Sequence, residues 1–143
     1  MAVILVSACL LGYRCRYRGD TRRNEAVASL AKNHLLIPVC PEQMGGLSTP
    51  RPPAEKRNGR MINAEGTDVT EQYETGAEAL LQTYELTHAD FAILKARSPA
   101  CGKGEIYDGS FTGTKIQGNG TAAALLIAHG IPVYTEEEAW PVH

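Results

Sequence analysis

The sequence has no apolar run that approaches the roughly 20 residues needed to span a bilayer. Its first apolar stretch, within MAVILVSACLLG, is short. It is not preceded by the basic residues that begin a secretory signal. We therefore interpret it as a buried strand and expect a cytoplasmic protein with no membrane partner. Thiols stay reduced in the cytosol, so structural disulfides are not expected.

An excess of either charge is also missing, since the formal net charge is -2. A weakly acidic chain is a poor candidate for binding duplex nucleic acid. Basic residues do cluster locally. Five arginines fall within ten residues, at positions 14, 16, 18, 22 and 23. This cluster is either a solvated surface or a binding place for a small anion such as a phosphate, with Arg16 as a candidate contact.

No repeat, low-complexity segment or linker divides the 143 residues, which predicts one domain over 1–143. Buried β-branched runs and helical spacings alternate along the chain. This β-α-β-α-β-α-β order predicts an α/β fold with a parallel sheet of about four to five strands. The predicted strands are 2–6, 34–39, 91–95 and 131–134, and the predicted helices are 21–33 (capped by Thr21), 67–87 and 121–129, with Gly130 ending the last. The tail, 136–143, is expected to be loose or to cover an edge.

Two long segments between these elements, 40–60 and 96–120, are rich in glycine or proline. Their composition disfavours regular structure over most of their length. Loops of more than twenty residues inside a small domain are usually functional or disordered.

Three of the four cysteines follow predicted strands. Cys9 comes after the first strand, Cys40 directly after the second and Cys101 after the third. The carboxyl ends of parallel strands share one edge of the sheet, where ligands bind. We therefore expect these three thiols to converge.

The residues alone leave several uses for these thiols open. Each could be a small buried apolar residue. A structural zinc site usually has closely paired ligands, and neither the C-x₅-C spacing of Cys9 and Cys15 nor the four scattered histidines provides them. A phosphatase-like thiol would need an arginine six residues after Cys9, and that position is Cys15.

A set of ordered motifs covers nearly the whole chain. They are SACLLG (7–12), CRYRG (15–19), PVCPEQMGGL (38–47), TPRPPAE (49–55), FAILKARSPACG (91–102), IYDGSF (106–111) and GNGTAAALL (118–126). Together they resemble the thiouracil desulfidase family, long described as a domain of unknown function. Ala100 and Arg18 depart from the serine and aspartate usual at those positions, which puts the substrate in question.

The resemblance implies a Rossmann-like, three-layer domain in which Cys9, Cys40 and Cys101 hold a [4Fe-4S] cluster, with Cys15 outside the ligand set. It also implies a catalytic glutamate at Glu42 and a catalytic serine at Ser98. Three thiolates leave one iron of such a cluster open, and this iron would bind the sulfur of the substrate. The implied reaction removes sulfur from a thiolated pyrimidine base or nucleotide.

Further residues are candidates for binding the substrate. Arg51, between two prolines, is either a rigidly presented ligand contact or a surface residue. Gly118 and Thr121 lie where a glycine turn opens a helix, which is a natural anion site. A non-catalytic Fe–S or zinc module with a redox-sensing or structural role remains the alternative. The sequence does not predict the oligomeric state.

Overall fold

A computed structural model describes residues 1–143 and contains eight strands and four α-helices. The strands are β1 (Val3–Ser7), β2 (Leu35–Val39), β3 (Ala54–Arg57), β4 (Arg60–Asn63), β5 (Phe91–Leu94), β6 (Glu105–Tyr107), β7 (Lys115–Gln117) and β8 (Val133–Thr135). The helices are α1 (Glu25–Ser29), α2 (Pro41–Met44), α3 (Thr70–Thr87) and α4 (Thr121–Ala128).

The central sheet has four parallel strands in the order β2-β1-β5-β8. Leu5 of β1 lies opposite Ile37 of β2 on one side and Ala92 of β5 on the other. The chain leaves β1 toward β2 in one direction and later enters β5 in the other. A crevice opens at the carboxyl ends of the strands where the direction of winding reverses. The predicted α/β fold with a parallel sheet is confirmed.

Apolar side chains cover both faces of this sheet, because successive residues of a strand point to opposite sides. Leu5 belongs to a buried cluster that also contains Leu80 of α3 and Leu126 of α4. Its neighbours Ile4 and Val6 belong to a second cluster, with residues of α1 and its 3₁₀ extension at 30–32. Both faces are therefore packed, which gives the predicted three layers. Each fully buried large aliphatic side chain contributes about 1.5–3 kcal/mol to stability.

The start of the first helix differs from the prediction. Thr21 does not cap it. The helix begins at Glu25, and the side chain of Asn24 accepts a hydrogen bond from Val27 N at 3.0 Å. Thr21 Oγ1 instead donates to the carbonyl of Cys9 at 2.7 Å. Helical spacing could not distinguish the two caps, since either side chain is a suitable acceptor.

Two antiparallel hairpins are present, β3–β4 and β6–β7. Strands β3, β6 and β7 lie within the segments 40–60 and 96–120 that we predicted to be largely irregular, and β4 begins at the end of the first segment. Most side chains of β3 and all three of β7 are at least partly exposed, so neither strand has a clear alternation of apolar residues. The signal for the first hairpin is Asn58-Gly59. Both residues have positive φ, 52° and 76°, as a two-residue hairpin turn requires.

The tail is anchored to the sheet. Trp140 Nε1 donates to the carbonyl of Thr135 at 3.0 Å, and the Trp140 and Val142 side chains pack against the second cluster. The carbonyl of His143 accepts a hydrogen bond from the Asn33 side chain at 3.5 Å. Of the two expectations for this segment, covering the fold is the one observed.

Helix α3, the longest at 18 residues, passes very close to α2. A Cβ atom on Gly76 would lie 1.9 Å from the carbonyl oxygen of Pro41, and one on Gly45 would lie 1.9 Å from that of Gln72. Glycine at both positions allows the two backbones to touch. No helix of the structure combines the length and apolar character needed to cross a membrane.

Gly76→Ala is expected to lower the free energy of unfolding by about 1–3 kcal/mol, because the added methyl group overlaps the α2 backbone. The measurement is urea unfolding followed by circular dichroism. Glu78→Ala, on the exposed side of the same helix, is the control and should change stability by less than about 0.5 kcal/mol. Equal stabilities of the two variants would contradict the close approach.

Candidate active site

A cavity of about 680 Å³ opens at the carboxyl ends of β1, β2 and β5. All four cysteines line it, and so do Glu42 and Ser98. The predicted convergence of Cys9, Cys40 and Cys101 is therefore observed. Eight of the other lining residues are cationic or aromatic, namely Arg16, Tyr17, Arg18, Arg22, Lys95, Arg97, Tyr107 and Phe111.

Cys9 lies in a 3₁₀ turn, Ala8–Leu11, that follows β1 directly. Gly12 ends this turn with a φ of 102°, a conformation that favours glycine. The carbonyl of Cys9 accepts hydrogen bonds from Thr21 Oγ1 and from Arg22 N, the latter at 3.0 Å. The chain thus folds back over the turn and fixes the backbone that carries the first thiol.

Cys40 is the N-cap residue of α2, with Pro41 at the first helical position. This places Glu42 in the first turn of the same helix, where a negative charge is stabilised by the helix dipole. A hydrogen bond with the Cys15 thiol, followed by burial, raises the pKa of the Cys40 thiol. One short helix therefore presents both a predicted cluster ligand and the predicted catalytic carboxylate.

Cys101 lies in a turn that α4 holds in place. Ser98 Oγ accepts hydrogen bonds from the backbone N–H groups of Ala100 (3.2 Å) and Cys101 (3.1 Å). Gly120 allows α4 to approach, since a Cβ there would lie 2.5 Å from the carbonyl carbon of Ala100. Burial raises the pKa of the Cys101 thiol to about 12, against opposing hydrogen bonds from the hydroxyls of Ser7 and Ser98.

Cys15 reaches the same cavity from the CRYRG segment and is 5% exposed. The thiol of Cys40 donates a weak hydrogen bond to its carbonyl at 3.8 Å. A hydrogen bond with the Cys40 thiol lowers the pKa of Cys15, but a hydrogen bond with Cys9 and burial outweigh it and raise this pKa to about 11. The fourth thiol therefore lies beside two of the three predicted ligands, a proximity that sequence spacing did not predict.

The four thiols are free, and three of them are buried. No group of three or more His, Cys, Asp and Glu side chains is arranged to hold a single metal ion. Cys9, Cys40 and Cys101 instead lie on the wall of the same cavity. Such a set of soft donors fits an iron–sulfur cluster, whose irons are bound by separate thiolates. Burial disfavours an isolated thiolate, whereas bound iron stabilises the charged form.

The Glu42 carboxylate has two buried donors. Tyr73, 2% exposed on α3, donates its hydroxyl to Oε2 at 2.5 Å. The Arg51 guanidinium lies 3.3 Å from Oε1. Burial and then the negative charge of Glu42 raise the pKa of Tyr73, so this hydroxyl stays protonated as a donor. The carboxylate is held in one orientation, and its remaining lone pairs are available to a further ligand.

Arg51 does not line the cavity. Besides Glu42, it contacts the carbonyls of Ser48 (3.1 Å) and Cys15 (2.9 Å) and the hydroxyl of Thr49 (3.0 Å). Its position joins the α2 segment to the segment that carries Cys15. These contacts are those of a residue that positions its neighbours and does not itself touch a ligand in the cavity.

Gly118 and Thr121 do not line the cavity either. The backbone N–H of Thr121 donates to the carbonyl of Pro99 at 3.0 Å, and that of Ala122 donates to the carbonyl of Ala100 at 2.9 Å. The N–H groups that we expected to be free for an anion are thus occupied by the Cys101 turn. The glycine turn at 118–120 therefore lets the N-terminus of α4 pack against the turn that carries Cys101.

Only some arginines of the cluster at 14–23 contribute to the wall of the cavity. Arg16, Arg18 and Arg22 line the cavity, whereas Arg14 and Arg23 do not. Arg16 and Arg22 both pair with Asp20, at 2.9 and 3.2 Å. Arg18 is exposed and has no carboxylate within salt-bridge distance. It is therefore the cation of this cluster that is available to an anionic ligand.

Sequence reasoning missed Tyr73 as a site residue, because its helical spacing marked it as part of the core. A signal was present, since a buried tyrosine hydroxyl normally needs a hydrogen-bond partner. The partner, Glu42, lies 31 positions away in the chain, so only the fold identifies it.

The chain is similar to known proteins over nearly its whole length. The sequence model of the family described as 2-thiouracil desulfurase matches residues 4–138. YbbK of Bacillus subtilis (strain 168), an uncharacterized protein, is 42% identical over 146 residues, which cover 95% of this chain and 97% of YbbK. The solved structure of TudS, a [4Fe-4S]-dependent thiouracil desulfidase, has 41% identity and a TM-score of 0.90, and the match covers 96% of this chain and 92% of TudS.

Proposed function

The chain belongs to the 2-thiouracil desulfurase family, and on that premise we propose that it is a [4Fe-4S]-dependent desulfidase. Its proposed substrate is a thiolated pyrimidine base or nucleotide. The observation that carries the proposal is the convergence of Cys9, Cys40 and Cys101 on one cavity with Glu42 and Ser98. TudS, which is 41% identical, supports both the cofactor and the class of reaction.

The proposed reaction is a hydrolysis without net redox change. Water supplies the oxygen that replaces sulfur on the ring carbon, and the sulfur leaves as sulfide with the two protons of the water. A [4Fe-4S] cluster held by three thiolates, when bound, supplies an open iron as a soft Lewis acid for the C=S sulfur. Cys9, Cys40 and Cys101 are the thiolates that would hold it.

Glu42 is the proposed general base. Tyr73 donates a hydrogen bond to Oε2 of the carboxylate, and Arg51 pairs with Oε1. Each oxygen keeps a further lone pair, which is free to accept a proton from water. Its place in the helical turn after Cys40 keeps it next to the reacting centre.

Ser98 has a second proposed role. Its oxygen accepts two backbone N–H groups of the Cys101 turn, and its hydroxyl, which also forms a hydrogen bond with the Cys101 thiol, is proposed to orient the substrate or pass on a proton.

Anaerobic reconstitution followed by a sulfide-release assay tests the proposal. Release of sulfide and uracil from 2- or 4-thiouracil by the cluster-containing protein is the expected result. A protein that binds four irons but releases no sulfide from any thiolated base or nucleotide would instead support a non-catalytic Fe–S module. Binding of zinc alone after anaerobic reconstitution would reject both iron-dependent readings.

The distinction between base and nucleotide depends on Arg18. A phosphate at the cavity rim would contact this unpaired cation, whereas a free base carries no such group. Arg18→Gln is expected to lower kcat/KM for 4-thiouridine 5′-monophosphate by up to about tenfold, since exposed charges are screened by solvent. The value for 4-thiouracil should change little.

Arg14→Gln is the matched control, because Arg14 is an exposed arginine of the same cluster that does not line the cavity. It should leave the ratio of the two kcat/KM values at the wild-type level. An equal loss for base and nucleotide in Arg18→Gln would remove phosphate recognition from this residue's role.

A further inference from the structure

The β6–β7 hairpin presents two aromatic residues to the cavity, Tyr107 at the end of β6 and Phe111 in the connecting loop. Neither belongs to the two buried clusters that form the core. Their rings are therefore not explained by packing of the fold. A planar apolar surface beside a polar, thiol-rich site has the chemistry to bind a flat ring.

Phe111 has a φ of 58°, in the left-handed region that a bulky residue adopts only at a cost in free energy. Such a conformation persists when the surrounding contacts determine it. In this conformation the Phe111 side chain lines the cavity and belongs to neither core cluster.

The contacts that hold this conformation come from β3. Glu55 Oε1 accepts hydrogen bonds from the backbone N–H groups of Gly109 (3.0 Å) and Phe111 (3.1 Å). The Arg57 guanidinium donates to the carbonyl of Gly109 through Nε (3.2 Å) and Nη2 (2.9 Å). Gly109 is needed because a Cβ atom would lie 2.5 Å from the carbonyl oxygen of Lys56.

The sequence motifs TPRPPAE and IYDGSF thus meet at one point, through residues to which the proposed function gives no role. Glu55 ends the first and Phe111 ends the second. We propose that Phe111 is a substrate-binding residue whose ring stacks on the pyrimidine ring, and that Glu55 is its positioning residue. The inference rests on the proposed function for the identity of the ring, since the proposed substrate is a flat pyrimidine.

Stacking predicts selectivity for a planar ring. Uracil and 5,6-dihydrouracil share the same hydrogen-bonding edge, but only uracil is flat and aromatic. Anaerobic titration calorimetry of the cluster-containing protein should give tighter binding of uracil. Phe111→Ala should weaken uracil binding by about tenfold or more and bring the two ligands to similar Kd values. Phe111→Tyr, which keeps the ring, should retain the wild-type selectivity.

Phe111→Leu keeps apolar bulk without an aromatic face, and it should behave like Phe111→Ala. Ile116→Ala is the matched control, because Ile116 is an exposed apolar residue of the same hairpin that does not line the cavity. Glu55→Gln keeps an acceptor oxygen for the two N–H groups and should preserve selectivity, whereas Glu55→Ala should lose it. The iron content and absorption spectrum should be the same in all these variants.

Uracil binding by Phe111→Ala with the wild-type Kd and an unchanged spectrum would overturn the inference. So would a wild-type protein that binds uracil and dihydrouracil equally, or binds neither. These results are independent of turnover. A wild-type protein that binds uracil selectively but releases no sulfide would retain the stacking role of Phe111 and reject the desulfidase.

Discussion

Serine in place of Cys9, Cys40 or Cys101 is expected to yield a protein that holds no stable iron–sulfur cluster and loses sulfide release by more than about 100-fold. Serine nearly preserves the size of each side chain but replaces a soft thiolate with a hard, weakly acidic hydroxyl. Because only three thiolates are proposed to bind the cluster, the loss of one leaves two. The measurement is the absorption spectrum with iron and sulfide analysis after anaerobic reconstitution, which should give about four irons and four sulfides per wild-type chain.

Cys15→Ala is the variant that defines the ligand set. Its thiol lines the same cavity and lies beside Cys9 and Cys40. If three thiolates hold the cluster, this variant should keep the wild-type iron content. Loss of the cluster in Cys15→Ala, with retention in one of the other three variants, would show that the ligand set was assigned wrongly and that Cys15 belongs in it.

The convergence of the cysteines could be predicted because it depends on topology and not on side-chain detail. Runs such as AVILV and FAILK indicate strands buried on both faces, and a β-α-β order makes such strands parallel. Once the strands are parallel, residues that follow them lie at one edge of the sheet. Cys9, Cys40 and Cys101 obey this rule whatever the exact conformation of their loops.

Positions within the long loops could not be predicted in the same way. The two prolines beside Arg51 indicate either a rigidly presented ligand contact or a surface residue, yet its guanidinium turns inward to Glu42 and to the carbonyl of Cys15. Gly118 and Thr121 formed a pattern typical of anion sites, but the carbonyls of the Cys101 turn occupy the N–H groups. The carbonyl of Cys15 and the carbonyls of the Cys101 turn lie in other segments of the chain, and local composition carries no information about them.

Glu42→Gln is expected to reduce kcat by about 10²- to 10⁴-fold while the cluster is retained, because glutamine preserves the shape of the side chain but cannot accept the proton from water. Iron content and the absorption spectrum should match the wild type. Gln43→Ala is the control from the same short helix, since Gln43 is exposed and does not line the cavity. Near-normal kcat in Glu42→Gln would assign the proton to another group.

Tyr73 extends this prediction to the residue that orients the carboxylate. Tyr73→Phe removes the hydroxyl that donates to Glu42 Oε2 at 2.5 Å and leaves the packing of the ring on α3 intact. Loss of a hydrogen bond to a charged group is expected to lower kcat by about 10- to 100-fold, with little change in KM. In the Glu42→Gln background the same substitution should have almost no further effect, because the two residues act on one proton transfer. Additive losses in the double variant would mean that Tyr73 supports only the fold, and that the buried contact between α2 and α3 does not orient the base.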